Sequence, residues 1–181
     1  MKKLLSVVLI FIILYSISGC GFSHKTEAHP TITEWEFPFY VEFIFNGETY
    51  VYEDTVVCSF DGYDYSAMFK KPRTWSEKFK STDKNPTNKL ILKETNSELV
   101  LVKSRINDVS QLMLSCGKGD YYMGESEYKQ LSKPCFYYHE EYRVNEKTEL
   151  TQEQLEKYFG LKIVRFEFSD PIKNEFKYNE N

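Results

Sequence analysis

Asn46-Gly47 stands between two runs in which apolar and polar residues alternate. Both positions of this dipeptide accept positive φ, which the tight two-residue hairpin turn requires. Setting that turn fixes the pairing: Phe43 falls opposite Tyr50, and Val41 opposite Tyr52. Val41, Phe43, Phe45, Tyr50 and Tyr52 then share one face. Tyr40, Glu42, Thr49 and Glu53 share the other with Ile44 and Val51. One apolar face against one mixed face is the pattern of a half-buried antiparallel hairpin. Thr55 to Phe60 continues the second strand or follows as another, and Asp61-Gly62 is expected to end it. Aromatic residues make up 17% of the chain, including 14 Tyr and 14 Phe. Because they alternate with polar residues rather than gathering in one loop, they favour strands over a sugar-binding face.

The remaining segments extend this plan. Leu90–Glu94 and Glu98–Ser104 predict a second hairpin around Asn96-Ser97. Ser110–Cys116 and Asp120–Met123 predict a third, turning through Gly117-Lys118-Gly119, and Cys135–Tyr142 predicts a further strand. Thr74-Trp75-Ser76-Glu77 has the form of a capping box and predicts a short helix with Trp75 and Phe79 on one face. Thr151 and Gln154 repeat that box, with Leu150 and Leu155 as a hydrophobic staple. Leu155, Tyr158 and Phe159 supply the expected buried stripe, and Gly160 suits the left-handed position after the helix. Leu161–Phe168 then reads as a strand with Val164, Phe166 and Phe168 on one face, stopped by Asp170-Pro171. The expected fold is α+β: a mainly antiparallel β domain over residues 35–176, of about seven or eight strands and two short helices, with residues 177–181 as a frayed tail. Either a sandwich or a strongly bent sheet would satisfy this pattern.

The first residues bear on compartment. Lys2 and Lys3 precede an almost unbroken apolar run, Leu4–Ile17, which is shorter than the roughly 20 residues of a membrane-spanning helix. The run closes on Ile17-Ser18-Gly19-Cys20. This segment resembles the signal peptide and lipobox of bacterial lipoproteins. The resemblance implies that residues 1–19 are removed, that Cys20 carries diacylglycerol, and that the domain is displayed on the outer face of the cytoplasmic membrane. Gly21 is not the aspartate that retains many lipoproteins in Gram-negative inner membranes, and the Lys, Asn, Ile, Tyr and Phe bias suits an AT-rich Gram-positive source. Residues 20–34 are expected to form a tether, in which His24 and His29 are solvated polar groups. The chain carries a net charge of −4, and loss of Lys2 and Lys3 makes the mature form more acidic still. Such a domain is repelled by nucleic acid and by anionic lipid, so the lipid anchor is its expected link to the membrane.

Catalytic motifs are sparse. His139 is the only histidine in the expected domain, and in a strand it shares a face with Glu141. The two could form half a metal site or a proton-transfer pair, but no second histidine completes a common zinc set; a solvated strand histidine is the simpler reading. Asp61-Gly62-Tyr63-Asp64 and Gly117-Lys118-Gly119-Asp120 lack calcium-loop spacing and read as turns. The latter also lacks the third glycine of a dinucleotide fingerprint. No P-loop, nucleophile elbow or Ser-x-x-Lys occurs, and no metal or cofactor is expected. With Cys20 lipidated, Cys58, Cys116 and Cys135 permit one bridge; Cys116–Cys135 is the expected pair, with three buried thiols as the alternative.

The segment 62–89 is rich in lysine and lies inside an acidic protein. Lys70, Lys71, Arg73, Trp75 and Lys78 are therefore the candidate binding residues, for an anionic envelope polymer or an acidic protein. The favoured reading of the same segment is structural: a long connection whose Trp75 and Phe79 plug the core edge while the lysines face water. The expected function is non-enzymatic binding at the cell surface. The alternative is a carboxylate- and His-dependent envelope hydrolase or lyase using His139, Glu141, Asp61 or Asp64.

Overall fold

A computed structural model describes residues 28–66, 72–81, 93–95, 97–103, 110–128, 130–140 and 147–178. The signal segment, Cys20, Lys70, Lys71, Glu141 and residues 179–181 lie outside the described residues. The fold is α+β and dominated by antiparallel strands. In chain order these are β1 (His29–Pro30), β2 (Glu34–Phe45), β3 (Glu48–Tyr63), β4 (Arg73–Phe79), β5 (Lys93–Thr95), β6 (Glu98–Lys103) and β7 (Ser110–Ser115). A one-turn helix α1 (Gly119–Tyr122) and a 3-10 turn (Gln130–Ser132) follow. Then come β8 (Cys135–Glu140), β9 (Lys147–Glu149), helix α2 (Gln152–Phe159), β10 (Leu161–Phe168) and β11 (Phe176–Lys177).

The first sheet has the order β10-β2-β3-β4, the second β5-β6-β7-β8-β9, and β1 pairs with β11. The Asn46-Gly47 turn forms with φ of 52° and 81°, and Phe43 faces Tyr50 and Val41 faces Tyr52, as the turn chemistry demands. Phe37, Phe39, Val41, Phe43, Tyr52, Val56 and Cys58 line the inner face of the first sheet. They form one cluster with Leu99, Leu101, Leu112, Leu114, Cys116 and Phe136 of the second sheet and its margin. Two sheets thus share one core. Tyr122 of α1 enters it, stacking on Phe37 with ring centroids 4.3 Å apart, and Leu155 of α2 closes another side.

Several expectations are corrected. Thr74–Glu77 does not open a helix; it lies in β4, whose Arg73, Trp75, Glu77 and Phe79 alternate toward the interior. The second short helix is instead α1, where a hairpin strand was expected, and β7 pairs onward with β8. Asp61-Gly62 does not end β3: the ladder slips between Phe60 and Gly62, and Gly62, at φ 100°, carries the strand on to Tyr63. Tyr158 of α2 is 63% exposed, so Leu155 and Phe159 alone carry its inward stripe. In β10 the register slips between Ile163 and Arg165, and Val164 has no partner across the ladder. Leu161 and Ile163 face the interior before the slip and Phe168 after it; Phe166 lies on the same side against Phe136 but remains 36% exposed.

Part of the expected tether packs on the fold: Ala28 is buried, and His29 and Pro30 pair with Lys177 and Phe176. Asn174 clasps the entering segment: its side chain accepts from the Ile32 amide and donates to the Ile32 carbonyl, at 3.0 and 2.8 Å.

Candidate functional site

The second sheet turns its other face outward, and a smaller apolar cluster forms there. Val100, Met113, Cys135 and Tyr137 are buried in it, with Leu131 packed against them. This follows from strand alternation: Leu99, Leu114 and Phe136 point to the main core, so their neighbours point away. Above this floor lies a cleft of about 520 Å³ lined by Glu98, Lys118, Gln130, Leu131, Ser132, Tyr137 and Lys147. That size and mixture, an apolar floor with a few convergent polar groups, is typical of small-molecule sites.

Each polar side chain is placed by its backbone. Glu98 opens β6 and Lys147 opens β9. Lys118 occupies the link between β7 and α1, and its amide donates to the Ser132 carbonyl at 2.9 Å. Glycine is required on both sides of it. A Cβ on Gly117 would lie 2.2 Å from the Tyr122 ring, and one on Gly119 would lie 2.3 Å from Trp75 Cβ. The Gly119 amide also donates to Glu77 Oε1 at 2.7 Å, which ties the link to β4.

Charge in the cleft is organised around one carboxylate. Lys118 Nζ and Lys147 Nζ both lie 3.4 Å from Glu98 Oε1. Lys147 Nζ also donates to the Tyr137 hydroxyl at 3.3 Å and sits 4.8 Å from the ring centroid. Burial opposes ionisation of Glu98, but the two lysines outweigh it and hold its carboxyl below the ordinary range. Burial, reinforced by Glu98, pushes the Tyr137 hydroxyl well above the ordinary tyrosine value. The walls are held from behind. Ser132 Oγ donates to Asp120 Oδ2 at 2.6 Å, and Gln130 Nε2 donates to Glu149 Oε2 at 2.9 Å.

Of the expected binding residues, Lys70 and Lys71 lie outside the described residues, and the three described ones, Arg73, Trp75 and Lys78, point different ways. Arg73 turns inward and makes a bidentate pair with Glu125, Nε to Oε1 at 2.7 Å and Nη2 to Oε2 at 2.6 Å. The two side chains are only 8% and 12% exposed. Arg73 also donates to the Ala28 carbonyl and stacks over Phe176. Trp75 packs at the core margin and donates from Nε1 to Glu125 Oε1 at 2.9 Å. Lys78 alone of the described three faces solvent, opposite Val57 on the outside of the first sheet.

Glu141 lies outside the described residues, and the described candidates His139, Asp61 and Asp64 are not gathered. His139 is half-buried on the outer side of the second sheet, opposite Lys147. Asp61 is exposed at the slip in β3, and Asp64 accepts from the Ser66 amide at 2.8 Å in a turn. Both belong to the other sheet's end. Among the described residues, no three His, Cys, Asp or Glu side chains group to hold a metal ion. Cys58, Cys116 and Cys135 are buried and free. The expected Cys116–Cys135 bridge is absent for a geometric reason: Cys116 enters the core between the sheets, whereas Cys135 joins the cluster on the opposite face. Burial raises the Cys135 thiol to about 12, so it is inert at neutral pH.

The sequence offered little toward the cleft. Lys118 between two glycines was its single marked residue, and Glu98, Gln130, Ser132, Tyr137 and Lys147 carry no motif. No protein-family model, no curated protein and no solved structure matches this chain.

Proposed function

We propose that this chain is a lipid-anchored protein of the bacterial cell surface, held through Cys20, whose β-rich domain binds an envelope component or protein partner without transforming it. The cleft over Tyr137 carries the binding half of this reading. Its ionic groups are tied to one another, Glu98 to both lysines and Lys147 to Tyr137, which suits recognition rather than proton transfer. On this reading the recognition surface is the outer face of the second sheet; in segment 62–89, Arg73 and Trp75 are engaged with Glu125.

The lipobox-like Ile17-Ser18-Gly19-Cys20 supports the anchoring half. Ala28, which is buried in the fold, lies eight residues after Cys20, and a chain of that length spans at most about 28 Å. That upper bound keeps the domain next to the membrane. Detergent phase separation of cells expressing the full chain tests the anchor. The mature protein is expected in the detergent phase, and Cys20→Ala is expected to leave an uncleaved precursor or a released form. Recovery of the mature wild-type protein in the aqueous phase would overturn it.

A further inference from the structure

We propose that the cleft takes a small hydroxylated anion, its anionic group on Lys118 and Lys147 and its hydroxyls against Gln130 and Ser132. This assignment rests on the reading of the cleft as the binding surface.

Two features of the lining specify that chemistry. The first is the convergence of two ammonium groups on one carboxylate oxygen. Each ammonium carries three N–H groups. The Glu98 contact takes one from each, and Lys147 gives a second to Tyr137. The remaining donors make a cationic corner beside a buried aromatic floor. Lys118 and Lys147 are 39% and 31% exposed at the side chain, so this corner opens to solvent, whereas Glu98 lies deeper at 17%.

The second feature is the polarity of the walls. Ser132 gives its proton to Asp120, and Gln130 gives an amide proton to Glu149. The Ser132 oxygen is thereby left as an acceptor, and the Gln130 amide keeps its carbonyl oxygen as an acceptor with one N–H to spare. An acceptor wall beside a cationic corner selects a ligand with hydroxyl donors next to its negative group. Asp120 and Glu149 stand behind these walls, so negative charge is disfavoured on that side and the ligand's anionic group is directed to the lysine corner. Phosphate flanked by hydroxyls and carboxylate flanked by hydroxyls share the required chemistry.

Glu98 has a double part in this arrangement. It gathers the two ammonium groups, and its own charge opposes an incoming anion. Its neutral isostere should therefore bind the anion more tightly, an effect opposite in sign to the loss expected at a merely structural ion cluster.

The test is calorimetric titration of the full chain in detergent micelles with sn-glycerol 3-phosphate, glucuronate and glycerol. Saturable binding is expected for one or both anions, and their relative affinity distinguishes a phosphate from a carboxylate source. Lys118→Gln and Lys147→Gln should each weaken it by about tenfold or more, and Glu98→Gln should strengthen it by about tenfold or more. Lys118→Gln alters an exposed side chain, so the test survives if Glu98→Gln fails to fold. Absence of anion binding to both wild type and Glu98→Gln overturns the assignment. Equal binding of glycerol, reduced by Gln130→Ala, also overturns it while leaving the cleft as the binding surface. Anion binding indifferent to all the cleft variants overturns the assignment and the surface together.

Discussion

Thr74-Trp75-Ser76-Glu77 and Thr151-Gln152-Glu153-Gln154 carry the same local pattern, a hydroxyl followed three residues later by an acid or amide. The second opens α2 with a complete capping box: the Gln154 amide donates to Thr151 Oγ1, and Gln154 Oε1 accepts from the Thr151 amide at 2.8 Å. The first lies in the middle of β4. What separates them is the spacing of the residues that turn inward. After Thr151 these are Leu155 and Phe159, one helical turn apart. Around Thr74 they are Arg73, Trp75, Glu77 and Phe79, in steps of two. Two of those four are charged, so the strand period is invisible to a count of apolar residues. It becomes visible only once Glu125 neutralises Arg73 and the Gly119 amide meets Glu77. A capping pattern is thus permissive, and the tertiary partners decide.

The sharpest way to break the strand side of this comparison is Glu125→Ala. It strands a buried guanidinium and the Trp75 N–H, and urea denaturation should show a loss of about 3–5 kcal/mol. The paired change Arg73→Met with Glu125→Leu should recover most of it, because no buried charge then remains. Recovery no better than the single variant would mean that the bidentate geometry itself, and not charge neutralisation, holds β4.

Gly119→Ala comes next. Its methyl group collides with Trp75 Cβ, which should cost about 1–3 kcal/mol and separate α1 from β4. An unchanged melting temperature would show that the contact yields freely. On the helical side, Thr151→Ala removes a true cap and should lower stability by about 1 kcal/mol, read by thermal melts.

Glu77→Gln is a smaller test with a definite sign. Burial raises the Glu77 carboxyl above its ordinary value of 4.5, partly offset by the Gly119 hydrogen bond and Lys118. The folded protein therefore holds this proton more tightly than the unfolded chain does. The stability so gained is present below the ordinary value and is lost as pH rises through the raised one. Glu77→Gln should melt higher than wild type at pH 7, with the gap closing on acidification below about pH 4.5. A gap that widens on acidification would show that the ionised form is the stabilising one. Thr74→Ala should do least, within about 0.5 kcal/mol, since its hydroxyl caps nothing. A loss matching that of Thr151→Ala would abolish the distinction between the two segments.

Elements whose inward residues are all apolar were legible from the sequence. The Asn46-Gly47 hairpin and its register, helix α2 with its cap, and the α+β class with mainly antiparallel pairing all follow from period and turn chemistry. Three kinds of information were not legible. Charged residues that turn inward disguised β4. Slips in β3 and β10 reversed the alternation partway along each strand, so Val164 was assigned to a face it does not share. The cleft draws on Glu98, Lys118, Gln130, Tyr137 and Lys147 from separate segments, and each alone resembles an ordinary surface or core residue. The cysteines teach the same lesson: spacing brings Cys116 and Cys135 near each other, and only the pleat reveals that a sheet stands between their thiols.

The slip in β10 has a bearing on descent. Ile163 stands opposite Phe43 and Arg165 opposite Glu42, so Val164 is one residue more than the ladder needs, and its side chain is 51% exposed. Excising it would join Ile163 to Arg165 and restore regular alternation, with Leu161, Ile163, Phe166 and Phe168 still on one side. A one-residue deletion in the unbroken ladder of β2 and β3 would instead send every later side chain to the wrong face. Chain length is therefore negotiable at Val164 and rigid in the central hairpin. In a lineage of such proteins, gaps are expected to settle at this edge strand and to spare the paired stretch of β2 and β3.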